Sequence, residues 1–162
     1  MPKTKGKKPA TGGLKKKGKK SVAGCKKPIK TGLVSTYKTL LKQKGDGTVH
    51  RDHIPSAAAL KRRGERLANR KLTTSEKRRI TERAIAITLS APVHKSGRTY
   101  GGKNTKKQID SDSKDLPKAA KQDIEVYKKQ GVSKALLKTM QTSMLMTQKQ
   151  YDKIIMDAVN DK

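Results

Sequence analysis

The sequence predicts a mainly helical α+β fold. Apolar residues recur at spacings of three and four in several segments after residue 33, which is the helical pattern. Two short stretches, near residues 48–50 and 84–89, have the composition or the alternation of β-strands. Only 31% of the 162 residues are hydrophobic and none is Phe or Trp, so the core must be small and aliphatic.

The net charge of +28 predicts a polyanionic partner. The chain has 41 Lys and Arg against 13 Asp and Glu, which is far more positive charge than solubility requires. No apolar stretch is long enough to cross a bilayer, and the N-terminus lacks the apolar core of a signal peptide, so we expect neither a membrane anchor nor signal-peptide export. Cys25 is the single cysteine, so no internal disulfide is expected.

Residues 1–32 are predicted to form a disordered basic arm. They are rich in Lys, Gly, Pro, Thr and Ser, and no acidic residue precedes Asp46. Such an arm is either a solvated tail or a non-specific phosphate binder, and the charge favours the second interpretation. The rest of the chain divides into a core over residues 33–110 and a helical segment over residues 111–162.

The first half of the core is predicted as helix, turn, strand and helix. An amphipathic helix over residues 33–44 ends before Gly45, and residues 48–50 form a short strand. Pro55 blocks a simple continuation of this strand, and Ser56 can cap the helix predicted over residues 57–69.

The second half of the core contains the best strand. A capping box at residues 73–76 opens a helix that runs to about Arg83. Residues 84–89 place their large apolar side chains on one side, which predicts a strand with one buried face. Pro92 then ends the strand, which places His94 just after it, at the start of the next element. Residues 104–114 are predicted to be irregular.

Three helices are predicted for the C-terminal segment. The first begins at Leu116, presents Tyr127 on its apolar face and is closed by Gly131. The second covers residues 133–146, and a capping box at residues 147–150 opens the third. The methionines here are interpreted as core or as part of a partner groove.

The three histidines point to phosphodiester chemistry. His50 and His53 flank Arg51 and Asp52, and His94 lies about forty residues further on. Hydrolysis of a phosphodiester requires a base for water and a cation on the phosphate. On a strand that bends at Pro55, Asp52 could serve a metal and His53 the water, with His94 as the second ligand.

Residues 52–55, Asp-His-Ile-Pro, followed by a strand and by His94 on a later turn or helix, resemble the HNH or His-Me finger nucleases. The resemblance covers about residues 49–104 and implies a small ββα-metal core, a β-hairpin and a helix around one divalent ion. It assigns Asp52 and His94 as metal ligands and His53 as the general base. Mg²⁺ is the favoured ion, with Zn²⁺ and Ni²⁺ as alternatives. Residues 94–104 also resemble the end of nuclease domains of bacterial polymorphic toxins.

The sequence departs from this family in three places. The stretch between the two motifs is long and must hold two helices. The family's intervening Asn has no clear match, because Asn69 is poorly placed and Asn104 follows His94. Arg98 stands where a further His would be, which suggests that Arg98 steadies the phosphate. His50 and Asn104 are additional candidates for the site.

We therefore expect a metal-dependent endonuclease that cuts DNA, or alternatively RNA, with little sequence preference. The resemblance implies a bacterial toxin that acts in the cytoplasm of a target cell after delivery by a specialised secretion system. The charge predicts an acidic immunity protein as a further partner. Six basic residues near the motifs are predicted to contact nucleic acid: Arg51, Lys61, Arg62, Arg63, Lys95 and Lys103.

Two alternatives explain the composition without catalysis. One is a structural nucleic-acid-binding protein of ribosomal or nucleoid type, which leaves the histidines unexplained. The other is a phage packaging or processing accessory. With aromatic residues at 2%, base stacking is not expected as the main mode of binding.

Overall fold

The computed structural model describes residues 29–161 and confirms the mainly helical α+β class. In chain order, its elements are β1 (Val34–Thr36), α1 (Tyr37–Leu41), β2 (Val49–His53), α2 (Ala57–Leu67), α3 (Thr74–Arg83), β3 (Ile85–Ser90), α4 (Ala91–Ser96), α5 (Lys106–Asp112), α6 (Leu116–Lys129), α7 (Lys134–Met144) and α8 (Gln148–Asn160). A single 3-10 turn, Gly101–Lys103, precedes α5. No helix in this part of the chain is long and apolar enough to span a bilayer.

The basic arm predicted for residues 1–32 lies outside the described residues as far as residue 28, as does Cys25. Residues 29–32 pack against the fold. Ile29 is buried, and the backbone N–H of Gly32 donates to the carbonyl of Thr88 at 2.7 Å. Hydrogen bonds that Thr88 forms with Lys30 and Gly32 thus attach this end of the predicted arm to β3.

The three strands form an antiparallel sheet in the order β1-β3-β2. The central strand β3 is buried on both faces from Ala86 to Leu89, so the prediction of one buried face is wrong. On the second face, the hydroxyl of Thr88 donates to the carbonyl of Lys30 and accepts from the N–H of Leu33, so residues 30–33 cover it. β2 lies at an edge, paired so that Asp52 is opposite Ile87. The chain leaves β3 directly into α4, which gives a strand-strand-helix unit with α2 and α3 inserted between its strands.

Most helix boundaries follow the local signals. Ser56 caps α2 by accepting from the N–H of Ala59, and Thr73 with Glu76 forms the expected capping box on α3. The three C-terminal helices are confirmed, with Thr147 and Gln150 forming the second capping box.

Three predicted elements require correction. Residues 33–44 are not one helix, because Val34–Thr36 pairs with β3 as a strand and only Tyr37–Leu41 is helical. The predicted strand at residues 48–50 extends to His53 through pairing with the same central strand. Residues 104–114 are not irregular, because Thr105 caps the helix Lys106–Asp112 by accepting from the N–H of Gln108.

Two apolar clusters form the core. The first joins α2, α3 and α8 through buried residues such as Leu60, Ile80 and Ile155, together with Leu116 from the start of α6. The second joins the sheet to α6 and α7 through Ile87, Ile124, Met140 and others. The helices of residues 111–162 therefore complete the same core that residues 33–110 begin.

Candidate functional site

The candidate site lies at the free edge of β2. His50 and Asp52 are two residues apart on this strand and therefore point to the same face, where they meet His94 from α4. His53 points to the opposite face. Because β2 is an edge strand, side chains from both faces border one open cleft, which is lined by Asp52, His53 and His94 among others.

Asp52 is held by two different partners. Its Oδ1 lies 3.2 Å from Nε2 of His94, and its Oδ2 accepts a hydrogen bond of 2.5 Å from the hydroxyl of Tyr127. Burial and the neighbouring carboxylate raise the pKa of Tyr127, so this phenol stays protonated and donates. The two oxygens of Asp52 therefore have separate partners: Oδ2 contacts Tyr127 on α6, and Oδ1 contacts the imidazole of His94.

The contact between Asp52 and His94 requires a proton or a cation between the two atoms, because lone pairs facing each other at this distance repel. An octahedral ion with ligand bonds of about 2.1 Å places neighbouring ligand atoms about 3.0 Å apart. The observed 3.2 Å between Oδ1 and Nε2 matches that separation. The pair therefore fits the geometry of two adjacent ligands of one ion.

His94 is oriented by aromatic neighbours. Its Nδ1 lies 2.9 Å from Nδ1 of His50, so one ring donates and the other accepts. When Nε2 of His94 carries a lone pair, Nδ1 must be the donor and His50 the acceptor. The ring of Tyr100 contacts His94 edge-on at 5.0 Å.

His53 is fixed in one neutral tautomer. Its Nε2 lies 3.0 Å from the backbone carbonyl of Thr81, which can only accept, so Nε2 carries the proton and Nδ1 the lone pair. Burial lowers the pKa of His53, which keeps the ring neutral at pH 7. The ring of Tyr37 packs against it at 4.6 Å. Among the described residues, nothing hydrogen-bonds to Nδ1.

The cleft beside these residues has a volume of about 340 Å³. One wall is the start of α2, beginning with Ser56, and the other is the segment Thr99–Gly101 with Asn104. Asn104 spans the two walls by donating from Nδ2 to Oγ of Ser56 at 3.3 Å. The structure thus brings Asp52, His53, His94 and Asn104 to one cleft, with His50 directly behind His94.

Arg98 lies outside the cleft lining. Its guanidinium contacts Asp123 and Asp112, each at 3.0 Å, and donates to the carbonyl of Ala119. Burial raises the pKa of Asp123 to about 7 despite this cation. The phosphate contact predicted for Arg98 would require both of these buried pairs to break.

Among the residues predicted to bind nucleic acid, the arginines and the lysines differ in their contacts. Arg51 donates to the carbonyls of Leu40 and Gln43, Arg62 pairs with Asp110, and Arg63 pairs with Asp152. Lys103 donates to the carbonyl of Lys95. Lys61 and Lys95 form no ion pair with any residue in the described part of the chain.

The same division extends over residues 29–161. Each arginine in this range hydrogen-bonds through its guanidinium to a carboxylate, hydroxyl or carbonyl of the chain itself. Most of the lysines have no such partner. Over these residues, the arginines are therefore engaged within the fold, and most of the positive charge without a partner in the chain lies on lysines.

Sequence reasoning missed the tyrosines of the site. The chain has four tyrosines and no other aromatic residue besides histidine. Tyr37 contacts His53, Tyr100 contacts His94, and Tyr127 contacts Asp52. Their scarcity was a usable signal, since each ring in so aromatic-poor a chain is a candidate for a specific contact.

Asp52 and His94 offer two protein ligands and no more. Within residues 29–161, no group of three or more His, Cys, Asp or Glu side chains is arranged to hold a metal ion. Two ligands suffice for an ion such as Mg²⁺, which keeps several waters and binds substrate phosphates at its remaining positions.

Comparison with known proteins gives one informative similarity. The chain is 41% identical over 97 residues to Deoxyribonuclease CdiA of Dickeya dadantii (strain 3937). The matched region covers 59% of this chain but only 3% of the length of that protein. No protein-family model and no solved structure matches the chain.

Proposed function

We propose that this chain is a metal-dependent DNA endonuclease domain of the bacterial toxin type. Asp52 and His94 hold one divalent ion and His53 is the general base. One observation carries the proposal: a carboxylate and an imidazole at ligand spacing share a cleft with a second imidazole that is neutral and has an unpaired nitrogen. Similarity to a protein named as a deoxyribonuclease supports DNA as the substrate.

The chain's own residues supply the base and its orientation. Nδ1 of His53 takes a proton from the attacking water, and the carbonyl of Thr81 stabilises the resulting imidazolium through the N–H at Nε2. Tyr37 restricts the ring from the side. A divalent ion bound by Asp52 and His94 would neutralise charge on the phosphate and on the leaving oxygen.

The order of elements supports assignment to the His-Me finger type. In the ββα-metal arrangement the base lies on the first strand and a metal ligand on the helix after the second strand. Here His53 ends β2, β3 pairs with it, and His94 lies on α4. The helices α2 and α3 are then an insertion between the two strands of the hairpin.

The free lysines support binding with little sequence preference. Lysine contacts phosphate as a point charge, and phosphate contacts carry no sequence information directly. Lys61 and Lys95 lie on α2 and α4, the helices that carry Ser56 and His94 at the cleft. Their positions would hold the backbone of a duplex against the cleft.

The size of the relative suggests the biological setting. The matched region is a small part of a far longer protein, as expected for a toxin domain carried by a larger delivery protein. We propose that the domain acts inside a target cell and that an acidic immunity protein protects the producer, since the +28 charge favours such an inhibitor.

Cleavage of supercoiled plasmid tests the proposal. The wild-type chain is assayed with Mg²⁺ and with EDTA, and His53→Ala is assayed at the same salt concentration. Loss of a general base should lower the cleavage rate about 10²- to 10⁴-fold while DNA binding in a gel-shift assay persists. EDTA should abolish cleavage by the wild type.

The alternatives predict different results in the same assay. Binding of DNA without cleavage in Mg²⁺, Mn²⁺, Zn²⁺ or Ni²⁺ would contradict the proposal and favour a structural nucleic-acid-binding protein. Parallel incubation with RNA of matched length separates a deoxyribonuclease from a ribonuclease. Cleavage by His53→Ala at the wild-type rate would remove His53 from the mechanism.

A further inference from the structure

We propose that Tyr127 is a positioning residue, which holds Asp52 so that one carboxylate oxygen stays directed at His94. This inference rests on the proposed function, because it concerns the ion that Asp52 and His94 would share. Tyr127 lies on α6, far along the chain from both residues. It would act through Asp52 without touching the ion or the DNA.

The contact itself is specific. Tyr127 is 2% exposed and Asp52 is 7% exposed, so the hydrogen bond between them is shielded from bulk water. The hydroxyl donates to Oδ2 at 2.5 Å, while Oδ1 faces Nε2 of His94. Without this donor, Oδ2 would be a buried acceptor with no partner, and the carboxylate could rotate to satisfy it elsewhere. Partners of this kind orient metal ligands and affect metal affinity.

The helix α6 supports both candidate ligands. Asp123 lies one turn before Tyr127, on the same face of the helix, and accepts from Arg98. Arg98 follows the helix α4 that carries His94. One helix thus fixes the carboxylate through Tyr127 and the imidazole-bearing segment through Asp123. The relative position of Asp52 and His94 depends on this shared support.

Gly97 leaves room for the hydroxyl of Tyr127 beside the segment that carries His94. This glycine is buried, and a Cβ added to it would lie 2.6 Å from the hydroxyl oxygen of Tyr127 and 3.0 Å from the backbone carbonyl oxygen of His94. The nearest of these atoms is the end of a rigid ring whose hydroxyl is already bonded to Asp52. A side chain at residue 97 would therefore displace the hydroxyl from the carboxylate.

The test measures Mn²⁺ binding by calorimetry and plasmid cleavage as a function of Mn²⁺ concentration. Tyr127→Phe removes only the hydroxyl. Tyr151→Phe is the matched control, because Tyr151 belongs to the other core cluster, is equally buried and donates its hydroxyl to the carbonyl of Met144 at 2.6 Å. We expect the Mn²⁺ Kd to rise about 10- to 100-fold in Tyr127→Phe and to remain unchanged in Tyr151→Phe.

Gly97→Ala keeps the aromatic ring but should displace both the hydroxyl of Tyr127 and the backbone of His94, so it perturbs the shared arrangement rather than the hydroxyl alone. It should raise the Kd in the same direction, and thermal unfolding of all three variants monitors the fold. An unchanged Kd in Tyr127→Phe, or an equal rise in Tyr151→Phe, would overturn the inference while the proposed function stands. A wild-type chain that neither binds Mn²⁺ nor cleaves DNA would overturn both.

Discussion

At the scale of single residues, the chain concentrates its few aromatic rings on the candidate site. Tyr37, Tyr100 and Tyr127 each contact a different member of the set His53, His94 and Asp52. The core, by contrast, is built from aliphatic residues and methionine, with Tyr151 and Tyr127 as its only large rings among the described residues. Rigid rings orient imidazole and carboxylate groups with little loss of side-chain entropy, which suits a site at an open sheet edge.

Gly64 is a residue where packing opposes helix propensity. Replacing glycine by alanine inside a helix normally stabilises by about 1 kcal/mol. At Gly64, however, a Cβ would lie 2.9 Å from both Ile80 Cδ1 and Leu72 Cδ1, and 3.2 Å from Ile155 Cγ2. These side chains are buried and cannot turn into solvent, so overpacking should prevail and Gly64→Ala should lower the free energy of unfolding by about 1 kcal/mol.

Urea unfolding of Gly64→Ala measures this effect. Gly45→Ala is the control, because its Cβ would meet only Arg51 at an ordinary distance of 3.7 Å. A Gly64→Ala variant more stable than the wild type would show that α2 and α3 can separate to admit the methyl group.

The residue types of the site could be predicted, but their partners could not. Asp52, His53 and His94 stand out because few side chains can bind a metal or move a proton. The ion pairs of Arg98 join residues 14 and 25 positions away in sequence, and Tyr127 meets Asp52 across 75 positions. Such contacts depend on how helices pack, and no local pattern in one sequence encodes them.

At the scale of elements, capping residues predicted where helices begin. The predictions failed where a segment pairs with a strand that is distant in sequence. Ser56, Thr73 and Thr147 begin their helices as expected, because a cap depends only on neighbouring residues. Residues 34–36 have apolar spacing compatible with a helix, yet they pair with β3 instead. These residues form a strand because the backbone N–H and C=O groups of β3 would otherwise have no partners on that side.

The capping box of α3 should make the fold sensitive to acid. Hydrogen bonds from Arg70 and from the N–H of Thr73 lower the pKa of Glu76 to about 2, against about 4.5 in the unfolded chain. Because the folded value is the lower one, Glu76 stabilises the fold fully above pH 4.5. This contribution is lost as the pH falls from about 4.5 to about 2.

Denaturant unfolding of Glu76→Gln between pH 7 and pH 2 tests this dependence. The variant should be less stable than the wild type at pH 7, and the difference should disappear by pH 2. Glu125→Gln controls for the change in net charge, since Glu125 forms only an exposed pair with Lys128. A difference between Glu76→Gln and the wild type that stays constant with pH would contradict the assignment.

At the scale of the whole molecule, composition predicted the net charge but not the different structural roles of arginine and lysine. The +28 net charge and the expectation of a polyanionic partner follow from counting residues. The count does not reveal that, over residues 29–161, each arginine hydrogen-bonds within the fold while most lysines have no such partner. Arginine suits internal use because its planar guanidinium reaches several acceptors at once.

This division predicts which substitutions affect DNA affinity. Lys61→Ala and Lys95→Ala should each reduce the steepness with which the logarithm of the binding constant falls with the logarithm of salt, by about 0.9 for each phosphate that is no longer neutralised. The assay is fluorescence anisotropy with a short duplex over a range of salt concentrations, using His53→Ala as the background to prevent cleavage.

Lys138→Ala and Lys149→Ala serve as controls, because these exposed lysines lie on α7 and α8, outside the cleft lining. Their salt dependence should match that of the background. Equal effects at all four positions would mean that DNA binds over the whole surface, with no preference for the cleft.

The position of β3 at the centre of the sheet determines when the protein becomes competent during synthesis. β1 and β2 are made first, but each can pair only with β3, which is not complete until residue 90 has been made. The hydrogen bond that orients Asp52 must wait longer, until residue 127. A nascent chain thus carries most of its positive charge before it can assemble the proposed metal site.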